Sequence, residues 1–216
     1  MHFEILVEDV SGKEAIERLL PKILGTDHSW HIHPYKGIGR IRKGLTRKSR
    51  PYGKTLLDNL PRVLQGYGKT YQNQPGVAVI VVCDLDDRCL VSFRNDLLAV
   101  LQGCDPAPKA RFCIAVEESE AWLLGDLHAV RAAYPKAKTA PLENYVQDSI
   151  CGTWEVLADA LYRDGAVALK RRGFQACGTE KSIWARTITP HMDVTRNQSP
   201  SFIYFRDTLL GLATSD

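Results

Sequence analysis

The chain has 216 residues, 44% hydrophobic and 25% charged, with 16 Gly, 11 Pro and 6 Cys. That is a globular composition of about one domain's length, which excludes a disordered or collagen-like chain and needs no disulfide or zinc to complete a core. The formal charge is only +3, no apolar run reaches the ~18 residues of a membrane span, and Glu4 with no basic segment before it predicts no export signal, a cytoplasmic setting and reduced thiols.

Residues 3–8 form a short apolar run that predicts a strand. Ser11, with Glu14 three residues on, predicts an N-cap and capping box. The helix behind it carries Ala15, Ile16, Leu19, Leu20 and Ile23 at helical spacing and stops at Gly25. Residues 29–34 predict a second strand, and 36–53, rich in Gly, Lys and Arg, a long loop. Leu56, Leu57, Leu60 and Leu64 outline a helix that Pro61 limits or kinks. The run 76–83 is apolar without alternation, which predicts a strand covered on both faces, as in a parallel sheet. A helix over 93–101, a strand over 110–116 and a helix from 118 to 124 follow. Beyond 140 only helices are predicted, over 154–162, 166–172, 181–187 and 202–212. The expectation is an α/β domain over 1–139, a mostly parallel sheet flanked by helices, with a helical lobe over 140–216 packed on it.

The charge is unevenly spread. Between Asp27 and Asp58 there is no acid, and Lys36, Arg40, Arg42, Lys43, Arg47, Lys48, Arg50 and Lys54 crowd that window. Such a block on an otherwise acidic chain is either a solvated loop or a surface for a polyanion such as nucleic acid.

The acids cluster differently. Glu8 ends the first predicted strand, Asp84 and Asp86 end the third, and Glu117, Glu118 and Glu120 follow the fourth. In open α/β sheets the ligand crevice lies outside these strand ends. Carboxylates gathered there repel one another, and a hard divalent cation, Mg²⁺ or Mn²⁺, relieves that repulsion. Asp84-Leu85-Asp86 sets two carboxylates on one side of an extended chain. Glu120 and Trp122, two residues apart on a helix and so about 200° apart, cannot share a face. If Glu120 faces the crevice, Trp122 faces the core.

Other signals are weaker. His31-x-His33 has the alternation of a metal-binding strand, but no third ligand lies near it in sequence. There is no G-x-S-x-G, Gly37-Ile-Gly39 lacks a third Gly, and Gly66-Tyr-Gly-Lys-Thr70 lacks the spacing of a phosphate loop.

Leu6-Val-Glu-Asp-Val-Ser-Gly-Lys-Glu14 resembles the strand–Glu–turn–helix opening of the Toprim fold, and Val81-Val-Cys-Asp-Leu-Asp-Asp87 resembles its D-x-D. More narrowly, Ile114-Ala-Val-Glu-Glu-Ser-Glu-Ala-Trp-Leu-Leu-Gly-Asp126 and Ser199-Pro-Ser-Phe202 are similar to a Toprim-like bacterial family with E-A-W-L-L-x-D and S-x-S-F segments, related to overcoming-lysogenisation-defect nucleases. The resemblance spans residues 3–212. Asp9 stands where the Toprim opening has Gly, adding charge beside the cation.

The resemblance implies magnesium-dependent phosphoryl chemistry on nucleic acid, with a separate ATPase partner and a role in phage defence. No second, Tyr-bearing domain fits in this length, so the expected nucleophile is metal-activated water. Glu8, Asp84, Asp86, Glu117 and Glu120 are the expected ligands, Glu8 alternatively a general base, and Lys13 the residue that steadies a phosphate. The rivals are a non-catalytic nucleic-acid-binding subunit and a nucleotide phosphotransferase.

Overall fold

The structure is a computed structural model and describes residues 1–41, 53–149 and 152–214. Four strands, β1 (His2–Val7), β2 (Ser29–Pro34), β3 (Val77–Asp84) and β4 (Ala110–Ala115), form one parallel sheet in the order β2-β1-β3-β4. Its register sets Ile5 beside Ile32 and Ile80, and Val82 beside Cys113. This is the parallel, helix-flanked α/β architecture expected from the uninterrupted apolar run at 76–83.

The topology fixes the layers. Helix α1 (Val10–Leu24) carries the chain from β1 outward to β2. Helices α2 (Leu56–Tyr71) and α3 (Leu90–Gln102) carry it back across to β3 and on to β4. Parallel crossovers are right-handed, so reversing the direction of travel puts α1 on one face and α2 and α3 on the other. The side chains agree. Phe3, Ile5 and Val7 pack with Ile16, Leu19 and Leu20 of α1. Leu6, Val79, Val81 and Cys83 pack with Leu56, Leu60 and Leu64 of α2 and Phe93 and Leu97 of α3. Both faces of β3 are thus covered, and each such side chain contributes about 1.5–3 kcal/mol by leaving water.

The rest is helical: α4 (Glu120–Leu124), α5 (Leu127–Ala133), α6 (Thr139–Glu143), α7 (Thr153–Leu161), α8 (Gly165–Arg171), α9 (Phe174–Ile188), a 3₁₀ turn at Thr189–His191 and α10 (Pro200–Ala213). These helices continue the α1 layer: Leu157, Leu169, Trp184, Ile188, Phe202 and Phe205 share one apolar cluster with Phe3, Ile5 and Leu19. The short helices α5 and α6 were not expected, and α9 begins at Phe174 rather than 181. Its first two turns carry Gly178, Thr179 and Glu180 and pack only the partly buried Ala176 and Cys177 on the core, too little apolar stripe to read.

One local reading changes. Helix α1 is capped by Asp9, not Ser11: the Gly12 amide and the Ser11 hydroxyl both donate to the Asp9 carboxylate, each at 2.7 Å. The strand ends so close to the helix that no residue is left between Asp9 and Val10 for a later cap. Gly66–Thr70 is no phosphate loop but part of α2, which runs on through Pro61. Gly68 is there because a Cβ would collide with the Pro106 carbonyl.

Of the eight cations, Lys36, Arg40 and Lys54 are described and exposed; Arg42, Lys43, Arg47, Lys48 and Arg50 lie outside the described residues. The base of that segment is tied down. The Lys36 amide donates to the Lys54 carbonyl at 2.9 Å and the Gly37 amide to the Glu8 carbonyl at 3.0 Å. Among the described residues no helix is long and apolar enough to cross a membrane.

Candidate active site

The chain leaves β1 in one direction and returns past it to β3, so the strand order reverses between the carboxyl ends of β1 and β3. Such a switch point opens a crevice, because the two flanking connections diverge to opposite faces. Glu8 follows β1 and Asp84 ends β3, side by side. The Asp84 amide donates to Glu8 Oε2 at 3.2 Å, and Asp84 Oδ1 accepts from the Ser119 amide at 3.0 Å. Between them lies a crevice of about 10 Å³, lined by Glu8, Asp9, Gly12, Asp84, Ser119 and Trp122. That is room for about one water molecule or a small cation.

Charge is concentrated here. Burial, with the charges of Asp86 and Asp9, pushes the Glu8 carboxyl up to about 7 against the opposing hydrogen bond from Asp84. Burial, Glu8 and Glu120 push Asp84 well above the ordinary carboxylate range. Glu120 and Glu118 are raised as well, Glu118 to about 8, chiefly by burial. Arg88 opposes this at Glu8, and Lys181 at the other three. Lys181, reaching in from α9, places its Nζ 3.1 Å from Glu118 Oε1 and 3.2 Å from Glu120 Oε2. Burial works against the Lys181 charge, but Glu120, Glu118 and Asp84 outweigh it and hold the ammonium protonated.

The expected ligands are therefore only partly gathered. The Glu8 carboxylate meets the Asp84 main chain, and Glu120, 3% exposed, interacts with Asp84 and Lys181. Asp86 sits differently from the expected extended D-x-D. The strand ends at Asp84, and Asp86 takes φ 52°, which turns the backbone and brings its carboxylate to Arg88 at 2.7 Å. Glu117, also left-handed at φ 60°, is turned to α7: its carboxylate accepts from the Gly152 and Thr153 amides, at 2.6 and 2.7 Å, and from the Thr153 hydroxyl. It serves as the N-terminal anchor of that helix. Lys13 lies half-buried in the first turn of α1.

The carboxylates are hard oxygen donors of the kind a divalent cation takes, and Glu118 Oε2 is buried without a hydrogen-bond partner. Among the described residues, however, no three of these acids bring a ligand oxygen each within 4.8 Å of one another.

The E-A-W-L-L-G-D and S-P-S-F segments build the wall behind the site. Trp122, 1% exposed, stacks on Phe205 at 4.8 Å between ring centroids and meets Phe202 edge-on at 5.7 Å. Its indole N–H donates to Ser201 Oγ at 3.0 Å. Ser199 caps α10 by accepting from the Phe202 amide, and the Asn197 amide group donates to the Trp122 carbonyl at 2.7 Å. Gly125 has no side chain because a Cβ would strike Asn197. Asp126 caps α5 through the Ala129 amide and pairs with Arg196 at 3.0 Å. Trp122 faces the core as expected, while one edge of it also closes the crevice.

Sequence reasoning missed Lys181, which nothing in α9 distinguishes from a surface lysine. It also missed the third partner of His31 and His33. Glu4, one strand away, brings its carboxylate to within 2.6 Å of His33 Nε2.

Compared with known proteins, residues 7–210 match the model of the family described as a domain of unknown function, DUF4276. No curated protein and no solved structure matches the chain.

Proposed function

The chain belongs to the DUF4276 family, and from that footing we propose that it is a divalent-metal-dependent nuclease or related phosphodiester hydrolase. The observation that carries this reading is the meeting of Glu8 and Asp84 at the strand switch point, with Glu120 and Lys181 behind them. Glu8, Asp84 and Glu120 would hold Mg²⁺ or Mn²⁺, with Asp86 beside them once released from Arg88. When bound, the cation supplies charge neutralisation at the phosphate and activates water. Alternatively to holding the cation, Glu8 serves as the general base through the carboxylate oxygen that the Asp84 amide leaves open. Lys181 opposes the rise that burial imposes on Glu118 and Glu120 and holds both side chains in place. Lys36, Arg40 and Lys54 sit where the main chain bonds directly to Glu8, so a nucleic-acid backbone gripped there lies beside the crevice. Lys13, in the first turn of α1, is placed to steady a phosphate. By family resemblance the proposal extends to Toprim-type ancestry, a separate ATPase partner and phage defence.

The test is cleavage of single- and double-stranded DNA and of RNA by the full chain, with Mg²⁺ or Mn²⁺ and with chelator. Cleavage that needs metal and is abolished in Asp84→Asn and Glu120→Gln, both melting within a few degrees of the parent, supports the reading. Nucleic-acid binding without cleavage in either metal overturns it in favour of a non-catalytic binding subunit.

A further inference from the structure

The second concentration of chemistry lies on the α2 face, at the outer edge of the sheet. Glu4 of β1 stands opposite His31 of β2 in the parallel register, and His33 lies two residues further along the same side. One ligand atom from each, a Glu4 carboxylate oxygen and a ring nitrogen of His31 and of His33, lie within 4.8 Å of one another. We propose that Glu4, His31 and His33 bind a borderline divalent transition ion, zinc in the first place, as a site separate from the acidic crevice.

The donor chemistry selects the ion. Two imidazoles and one carboxylate suit Zn²⁺ and its neighbours, whereas Mg²⁺ asks for oxygen alone. Three protein ligands leave a fourth position, and β2 is an edge strand with His31 exposed, so that position opens to solvent.

The surroundings are built to hold the carboxylate. Glu4 is 6% exposed, in a row where Leu6 is its apolar neighbour. Tyr71 donates to Glu4 Oε1 at 2.7 Å, which leaves Oε2 for the histidines. His2 also approaches Oε1, at 3.4 Å. Tyr67 OH is 3.2 Å from Glu4 Oε2 and 3.1 Å from His33 Nε2. Partners of this kind orient metal-binding carboxylates and imidazoles. Burial would lift the Glu4 carboxyl, but the hydrogen bonds from His33 and Tyr71 and the charges of His33 and His2 outweigh it and hold the group below its ordinary value, ready as an anion.

His31 points beyond a simple hydrogen-bonded pair. Its ring lies 4.1 Å from that of His33, centroid to centroid, yet it makes no hydrogen bond to another described residue. A Glu4–His33–Tyr67 network is complete without it; a metal is what gives His31 a role. To take the ion, His33 Nε2 gives up its direct contact with Glu4 Oε2. The two ligand atoms then open from 2.6 Å to about 3.3 Å, the separation of donors at ~2.0–2.1 Å around a tetrahedral centre. Only side-chain rotation is needed at the exposed edge.

The site stands four residues from Glu8 along β1, about 13 Å away at strand spacing. Bound there, the ion would tie β2 to β1 and, through Tyr67 and Tyr71, to α2, whose first residues close the base of the basic segment.

The experiment uses the full, tag-free chain. Zinc stoichiometry and affinity are measured by equilibrium dialysis, and cobalt(II) replaces zinc to report ligand geometry by visible absorption. One tightly held zinc, an intense tetrahedral cobalt spectrum, and at least a tenfold loss of affinity in both His31→Ala and His33→Ala are expected, with excess Mg²⁺ displacing nothing. Glu8→Gln should keep the zinc, so failure here and failure of the nuclease reading are told apart. His31 is exposed, so its variant should fold, and melting curves check this. No zinc bound, or zinc retained in both histidine variants, or zinc lost with Glu8→Gln, overturns the proposal.

Discussion

Removing the charge of Glu8 should make the metal-free protein more stable, not less. The Glu8 carboxyl, near 4.5 in an unfolded chain, is pushed up to about 7 by burial and by Asp86 and Asp9. A group whose folded value lies above its unfolded value favours folding at low pH. That stability is fully present below about 4.5 and is lost as the pH rises through about 7. The gap, at 1.36 kcal/mol per pH unit, amounts to about 3 kcal/mol. Glu8 keeps contact with water, and screening brings the usable figure to about 1–2 kcal/mol. Glu8→Gln is neutral at every pH and its carbonyl can still accept from the Asp84 amide. At pH 8 without metal it should melt about 2–8 °C above the parent, given about 2–4 °C per kcal/mol at this size. At about pH 4, below the unfolded value, the two curves should converge. Millimolar Mn²⁺ at pH 8 should reverse the order, since an ion at a hundred times its dissociation constant stabilises the parent by about 2.7 kcal/mol and loses this grip in the variant. Differential scanning calorimetry at the two pH values, with and without Mn²⁺, reads all four cases. A Glu8→Gln protein that melts at or below the parent at pH 8 without metal would refute the claim that the crevice stores electrostatic strain.

Two further outcomes follow from the same geometry. Trp122→Ala should cost about 3–5 kcal/mol in urea unfolding, because it empties the space of a fully buried ring that packs on Phe202 and Phe205 and donates to the Ser201 hydroxyl. Trp122→Phe should cost about half of that, and equal costs would mean that the hydrogen bond, not the ring, holds the junction. Replacing Lys36, Arg40 and Lys54 with Gln should flatten the salt dependence of duplex DNA binding by about 0.9 for each phosphate that is no longer neutralised; an unchanged slope would show these three side chains to be solvated surface.

The sheet was legible because burial leaves a mark on composition. A strand covered on both faces cannot alternate, and residues 77–83 do not. The placement of Glu8, Asp84 and Glu120 at or after the carboxyl ends of β1, β3 and β4 was legible because the strands themselves were. Asp86 and Glu117 were misplaced for a shared reason. Each takes a left-handed backbone, and a single positive φ reverses the side that an extended-chain argument assigns. The Asp9 cap was hidden behind a competing one, since Ser11 with Glu14 makes the better local pattern. What decides is how soon the helix must begin after β1. Lys181 and Glu4 were not legible at all. Their partners come from other elements, and only the packing of α9 on α1 and the parallel register of β1 with β2 bring them together.

The indole–hydroxyl bond between Trp122 and Ser201 joins positions 79 residues apart, and this turns two motifs into one heritable unit. Related chains should exchange these positions in pairs: a ring without a donor at 122 releases 201 to become Ala, while a retained Trp keeps a hydroxyl there. The same bond governs how the chain can be cut. A fragment ending before Pro200 would retain every acid of the crevice, yet it would bare Trp122 to water and free the short helix that carries Glu120. Synthesis on the ribosome poses the same constraint in time, because the acids emerge well before α10 does. The site can assemble only after the last helix has been made.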